Sequence, residues 1–309
     1  MTGAARAVVF AYHDVGVRCL KTLLSGGIEV PLVVTVADDP REKQWFASVA
    51  ETARDYGLPV VMPEDPNTPE FAARLAALGV DFLFSFYYRS MLGAPLLACA
   101  RRGALNMHGS LLPKYRGRAP VNWAILNGER EIGATLHYMV ARADAGDIVD
   151  QQAVPILADD EAREVYAKVT AAAEIVLARS LAGLLDGSAP HRPQPLIPGQ
   201  YFGRRRPEDG RIDWNWPAQR IHDLVRAVAP PFPGAFGEVG GERWWLHRTR
   251  LATRTMTPGP ARLIGVEGEC QLACADGSVL RILRAANAAG AIDLTRLAHD
   301  LERRPVTLG

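Results

Sequence analysis

The 309-residue sequence predicts an α/β protein: a doubly wound, mainly parallel sheet in the longer first part, then a smaller antiparallel barrel. Three observations carry this reading. Over residues 7–107, runs that are apolar throughout alternate with amphipathic segments, as strands buried on both faces alternate with helices. Pro and Gly then crowd residues 187–199 (GSAPHRPQPLIPG), the composition of a linker. Beyond Gly210 the pattern becomes short alternating runs separated by Gly and turn pairs such as Gly240-Gly241 and Asp276-Gly277. Domains are therefore expected at residues 1–200 and 201–309.

Residues 7–12 (AVVFAY) form the first predicted strand, and a helix over 15–24 follows a turn at His13-Asp14. That turn reads AYHDVG and lacks the GxGxxG spacing that cradles a dinucleotide pyrophosphate. Strands are predicted at 31–36, 58–62, 81–87 and 104–107, and helices at 42–56, 69–78 and 91–100. A short helix over 121–126 leads to an antiparallel pair, 133–140 and 148–155, and then to a long helix over 159–185. In the second domain a helix over 217–228 ends at Pro230-Pro231. Strands follow at 235–239, 244–249, 261–266, 270–273 and 279–285.

Composition narrows the class. Hydrophobic residues make up 48% of the chain, enough for a sizeable core, and 35 basic residues against 34 acidic ones give a net charge of +1. That balance exerts no global pull on nucleic acid or on an anionic membrane. Cys19, Cys99, Cys270 and Cys274 show neither CxxC spacing nor a disulfide framework, which fits reduced thiols in a cytoplasmic compartment. The 7–12 run is far too short to cross a bilayer, and no signal peptide opens the chain.

The richest stretch is residues 104–120, ALNMHGSLLPKYRGRAP, a strand that breaks at Gly109 into a loop of Pro, Gly and Arg. Residues i and i+2 of a strand face the same way, so Asn106 and His108 stand side by side at a strand end, where open α/β sheets bind ligands. An amide N–H can hold an oxyanion and an imidazole can move a proton, which suits attack on a carbonyl carbon. Both residue types also serve loop backbone groups, so the pair alone leaves a structural role open. Asp144, in the loop between the antiparallel strands, is the candidate partner for His108, and equally a turn former beside Gly146. His137 reads as a packed strand residue. His13, at the first strand end, either lines a pocket or caps a turn. The loop at 114–118, with Tyr115, Arg116 and Arg118, and the YFGRRR segment, with Arg204 and Arg205, either grip an anionic ligand or are solvated.

Together, Asn106-Met107-His108, the following SLLPKYRGRAP, and Asp144 in RADAGDIV resemble the 10-formyltetrahydrofolate-dependent formyltransferase family. The resemblance extends through VVFAYHDVG, FSFYYR, NMHGSLLPKYRGRAPVNW, FGRRRPEDG and VRAVAPPFPGAF, over residues 8–236. It is closer still to the formyltransferase domains of bifunctional polymyxin-resistance proteins, which modify UDP-4-amino-4-deoxy-L-arabinose for lipid A. It implies a Rossmann-like catalytic domain with an OB-like barrel, and 10-formyltetrahydrofolate as co-substrate without a metal.

In such a centre Asn106 and protonated His108 stabilise the tetrahedral oxyanion, and Asp144 holds His108 and raises its pKa. The positions matching the family's folate site are Ser90, Met91, Leu92, Arg118, Val140, Ala141, Arg142, Ala143 and Asp144. The candidates for the sugar nucleotide are His13, Tyr115, Arg116, Arg204 and Arg205. Since the sequence ends at Gly309, a separate dehydrogenase/decarboxylase is expected to act upstream. Methionyl-tRNA formyltransferases share the fold and centre and are the rival reading. Against it stand the mixed charges of the 37–43 loop (ADDPREK) and the absence of a net positive charge on the first domain.

Overall fold

The computed structural model describes residues 4–39, 44–195, 197 and 201–308, and these form two compact units. Residues 1–120, 131–155 and 167–203 cluster as the first, and 121–130, 156–166 and 204–309 as the second.

The first unit alternates strand and helix: β1 (Arg6–Ala11), α1 (His13–Ser25), β2 (Glu29–Val34), α2 (Val49–Asp55), β3 (Val60–Val61), α3 (Pro69–Ala77), β4 (Phe82–Phe86), α4 (Ala94–Leu97), β5 (Gly103–His108) and the short β6 (Arg116–Gly117). After α5 (Pro120–Leu126), which from Val121 on clusters with the second unit, come β7 (Glu131–Tyr138), β8 (Ile148–Pro155), the long α6 (Ala162–Asp186), in this unit from Ala167 on, and β9 (Tyr201–Phe202). The main sheet runs β3-β2-β1-β4-β5-β7-β8, parallel from β3 to β5 and antiparallel across β5-β7-β8. β6 and β9 pair separately. Every residue of β4 is buried, and the rings of Phe84 and Phe86 stack at 5.5 Å, as a central strand covered on both faces requires. One core cluster gathers Val8 and Phe10 of β1 with Leu32, Val34, Leu75, Leu83 and Leu96.

Local chemistry sets boundaries where apolar periodicity predicts longer helices. The helix expected over 42–56 starts at Val49, because the Ser48 side chain caps it by accepting from the Glu51 N–H at 3.2 Å. Residues 42 and 43 of that helix, and 40–43 of the mixed-charge loop, lie outside the described residues. The helix expected over 91–100 shrinks to α4. Asn67 pins the chain ahead of it, donating to Met91 O and accepting from Gly93 N at 2.7 Å, so the first helical residue is Ala94. In the other direction, α1 takes in His13 and Asp14, which the sequence reading assigns to a turn. Residues 196 and 198–200 of the linker lie outside the described residues.

The second unit holds a 3₁₀ turn (Pro207–Gly210), α7 (Ala218–Ala227), β10 (Ala235–Val239), β11 (Glu242–Thr255), β12 (Arg262–Val266), β13 (Glu269–Ala273), β14 (Ser278–Asn287), β15 (Gly290–Ala291), α8 (Leu294–Arg303) and β16 (Val306–Thr307). Its antiparallel half-barrel sheet runs β10-β11-β14-β13-β12-β16, with β15 on β14. β11 is 14 residues long where 244–249 is predicted. Register shifts against β14 interrupt its alternation, which hides the continuation from a period-2 reading. α8, absent from the sequence reading, is capped by Asp293, which accepts from the N–H groups of Thr295 and Arg296. It packs its backbone onto Gly265, where an added Cβ would meet Ala298 O at 1.8 Å.

Among the described residues no helix is long and apolar enough to cross a membrane. The four cysteines are free thiols.

Candidate active site

The sheet reverses its winding between β1 and β4: β2 and β3 lie on one side of β1, and β4 and β5 on the other. The carboxyl ends of strands at such a switch point form the crevice in which open α/β sheets bind ligands. β5 ends there with Asn106 and His108 on one face. Its antiparallel neighbour places His137 directly opposite Asn106 and Thr135 opposite His108.

Asp144 completes the group from the loop joining β7 to β8. Its Oδ1 lies 3.5 Å from Asn106 Nδ2, 3.6 Å from His108 Nδ1 and 3.6 Å from His137 Nε2, and its Oδ2 accepts the Gly117 N–H at 2.9 Å. Burial alone would raise the pKa of this carboxyl. The neighbouring His108 and His137 and the Gly117 N–H outweigh burial and hold it well below the usual carboxylate range. Asp144 is thus a fixed anion facing two imidazoles. The loop reaches this position through a left-handed backbone at Asp144 (φ 50°) and a close pass at Gly146, where an added Cβ would meet Tyr138 O at 2.0 Å.

Hydrogen bonds set the ring orientations. His108 Nε2 donates to Tyr115 O at 2.9 Å, since a carbonyl can only accept, and this leaves Nδ1 turned to Asp144. By the same rule His137 Nδ1 donates to Tyr138 O at 2.8 Å, leaving Nε2 to accept from Asn106 Nδ2 at 3.1 Å. His137 therefore aims the Asn106 amide. The loop after β5 is anchored by Thr135 Oγ1, which donates to Ser110 O and accepts from Leu112 N. At Gly109 an added Cβ would overlap the Tyr87 hydroxyl at 1.9 Å.

At the switch point itself, His13 and Tyr87 follow β1 and β4 with left-handed backbones (φ 67° and 59°), their rings 6.1 Å apart. Trp45 and Phe46 pack on the His13 ring at 4.6 and 4.3 Å. Their loop is tied back where Asp14 Oδ1 accepts the Ala47 N–H. Burial lowers the His13 pKa to about 4; Asp14 opposes this and Arg89 adds to it.

The remaining sequence candidates divide. Asn106, His108 and Asp144 converge. Ser90 and Met91 are exposed on the segment after β4, whereas the Leu92 side chain is buried in the core cluster. Val140, Ala141 and Arg142 are exposed and Ala143 half-buried on the Asp144 loop. Arg118 is exposed and donates to Arg89 O at 3.3 Å. Arg116 is only 2% exposed and donates to Ile197 O, so its guanidinium is held by the later 187–199 segment, and Tyr115 is buried with its ring stacked on Phe202. These two departures from a solvent-facing basic loop follow from the pairing of β6 with β9, which turns residues 115 and 116 inward. Arg204 and Arg205 belong to the second unit, where Arg205 stacks on Trp123 at 4.8 Å.

His137 is buried, as the sequence reading has it, and also touches Asn106 and faces Asp144. Only the cross-strand register reveals this. Tyr87 is likewise missed, since an aromatic residue at a strand end reads as core, and so are Trp45 and Phe46, which fall in the helix expected over 42–56. Among the described residues no group of His, Cys, Asp or Glu side chains is arranged to hold a metal ion.

The family model described as formyl transferase matches residues 5–181, and that for the formyl transferase C-terminal domain matches residues 205–292. Three solved structures share the fold. An N-formyltransferase from Helicobacter canadensis, in complex with folinic acid and dTDP-3-aminofucose, is 20% identical with a TM-score of 0.71, covering 91% of this chain and 99% of its own. WlaRD, a sugar 3N-formyl transferase solved with dTDP and 5-N-formyl-THF, is 20% identical with a TM-score of 0.70, covering 93% and 98%. A 4-N formyltransferase from Francisella tularensis is 20% identical with a TM-score of 0.62, covering 75% and 91%.

Proposed function

We propose that this chain, which belongs to the formyl transferase family, moves the formyl group of 10-formyltetrahydrofolate to the amine of a nucleotide-linked amino sugar. The observation that carries the reading is the convergence of Asn106, His108 and Asp144, with Asp144 Oδ1 3.5 and 3.6 Å from the other two. The chemistry is assigned to residues 1–200, with the later residues as the OB-like domain.

In the proposed reaction the neutral amine attacks the formyl carbon, a C–N bond forms, and the carbonyl oxygen becomes an oxyanion. The Asn106 amide and the His108 imidazolium stabilise that charge. His108 delivers a proton to folate N10, the C–N10 bond breaks, and the proton lost by the amine returns to His108 by way of the Asp144 carboxylate. The products are the sugar formamide and tetrahydrofolate. The folate is assigned to Ser90–Leu92, Arg118 and the 140–144 loop, and the acceptor side to His13 and its aromatic neighbours.

For the acceptor, the finer reading is the 4-amine of UDP-4-amino-4-deoxy-L-arabinose, and with it lipid A modification, polymyxin resistance and a cytoplasmic site of action. It is supported by the FAYHD and FGRRRPEDG segments. The solved relatives favour a second form of the reading, another nucleotide-linked amino sugar, since two of them carry dTDP ligands.

An acceptor panel tests both. Purified protein receives 10-formyltetrahydrofolate with UDP-4-amino-4-deoxy-L-arabinose, with a dTDP-amino sugar, with methionyl-tRNA, or with no acceptor. Formylation of a sugar nucleotide is expected. Transfer to tRNA, or formate release without an acceptor, contradicts the reading.

A further inference from the structure

Asp144 sits in a loop that its own sequence does not hold. Its left-handed backbone (φ 50°) is a conformation that costs a non-Gly residue about 1–3 kcal/mol unless the surroundings over-determine it. On the carboxylate side one backbone donor, the Gly117 N–H, fixes Oδ2.

The backbone side is held by a residue distant in sequence. Gln194 Nε2 donates to Gly146 O at 2.5 Å and to Asp144 O at 3.3 Å, so one carboxamide grips two carbonyls of the same turn. The strap that carries Gln194 arrives in fixed register. Arg192 and Ile148 exchange both backbone hydrogen bonds, at 2.8 and 3.0 Å, and the Arg192 guanidinium donates to Val149 O. Gln194 Oε1 is buried and meets no hydrogen-bond donor among the described residues. All of these contacts lie within the first unit.

We propose that Gln194 is a positioning residue for Asp144: its carboxamide locks the 144–146 turn, so that the carboxylate meets His108 and Asn106 at reaction geometry. The proposal rests on the catalytic role assigned to Asp144 above. Because the two N–H donors do the gripping, an isosteric acceptor cannot replace them, and a Glu at this position would face two carbonyls.

The test uses Gln194→Glu, with Gln194→Ala as a second variant that buries no charge, and Asp144→Asn alone and combined with each. Both single variants are expected to lose about 10- to 100-fold in kcat, the loss that goes with an ångström of misplacement, with both KM values little changed. Each double variant is expected to be no slower than Asp144→Asn alone, because Gln194 acts only through that carboxylate. Amide hydrogen exchange at Gly117, read without any substrate, is expected to quicken in both Gln194 variants. Losses that multiply in the double variants, or Gly117 exchange unchanged from wild type, overturn the proposal. Wild-type protein that formylates no amino sugar would remove the proposed function instead, and the Gly117 exchange would still decide the positioning claim.

Discussion

His108 offers Nε2 to Tyr115 O and turns Nδ1 to Asp144, so the proton it passes to folate N10 in the proposed reaction is the one carried at Nδ1, beside the carboxylate. His108→Ala is expected to lower kcat about 10²- to 10⁴-fold, the span of a lost general acid, and Asn106→Ala about 10²- to 10³-fold, the span of one lost oxyanion donor. Steady-state kinetics at saturating folate check both. His137→Leu should cost less, since it leaves the three converging side chains in place and removes the acceptor that aims the Asn106 amide and one neighbour of Asp144. A pH effect on stability belongs to His13. Buried and neutral in the fold, it takes a proton only near pH 4, whereas in the unfolded chain it does so near 6.5. Between these values the unfolded state binds the extra proton, so stability falls as the pH falls from about 6.5 toward 4, by about 3 kcal/mol for a shift of this size. His13→Asn tolerates the left-handed backbone and does not titrate. Urea unfolding at pH 7 and pH 5 should show a smaller acid loss in that variant than in wild type.

At the scale of elements, the β7–β8 turn is the part on which the centre depends most. Gly146→Ala drives a methyl into Tyr138 O, a backbone atom that cannot step aside, so the turn must move and carry Asp144 with it. Loss of most transfer activity is expected while the far-ultraviolet dichroism stays that of wild type. The main-sheet strands of this unit were legible because central ones such as β1 and β4 are buried on both faces and read as nearly unbroken apolar runs, whereas the two-residue β6 and β9 gave no pattern to read. Helix lengths were less legible, since contacts that apolar periodicity does not register decide them: the Ser48 cap on α2 and the Asn67 clamp before α4. Ser48→Ala should cost about 1 kcal/mol in the unfolding free energy, the usual worth of an N-cap. The long β11 and the helix α8 escaped for a related reason, as bulges break a period-2 pattern and α8 lies beyond the last strand the alternation revealed.

For the molecule as a whole, the sequence exposed the site as far as side chains declare themselves along one strand or one loop. Asn106 and His108 share a strand face by spacing alone, and Asp144 stands in a loop that had to return to the sheet. His137 and Gln194 did not show themselves, because the first depends on which strand lies beside β5 and in what register, and the second on a strap some 50 positions later in the chain. Arg116 misled for the converse reason: a basic residue in a Gly-rich loop reads as solvent-facing until the β6–β9 pair turns it inward. The central claim is that Asn106, His108 and Asp144 hand a formyl group from folate to a sugar amine. The most direct measurement follows that carbon, using 10-formyltetrahydrofolate labelled with ¹³C in the formyl group and the amino-sugar nucleotide that responds in the acceptor panel. Wild type is predicted to move the label into a sugar formamide within a single turnover, and His108→Ala to leave it on folate although folate still binds. Label that leaves as formate in the wild type, or reaches the sugar equally fast without His108, would contradict the account.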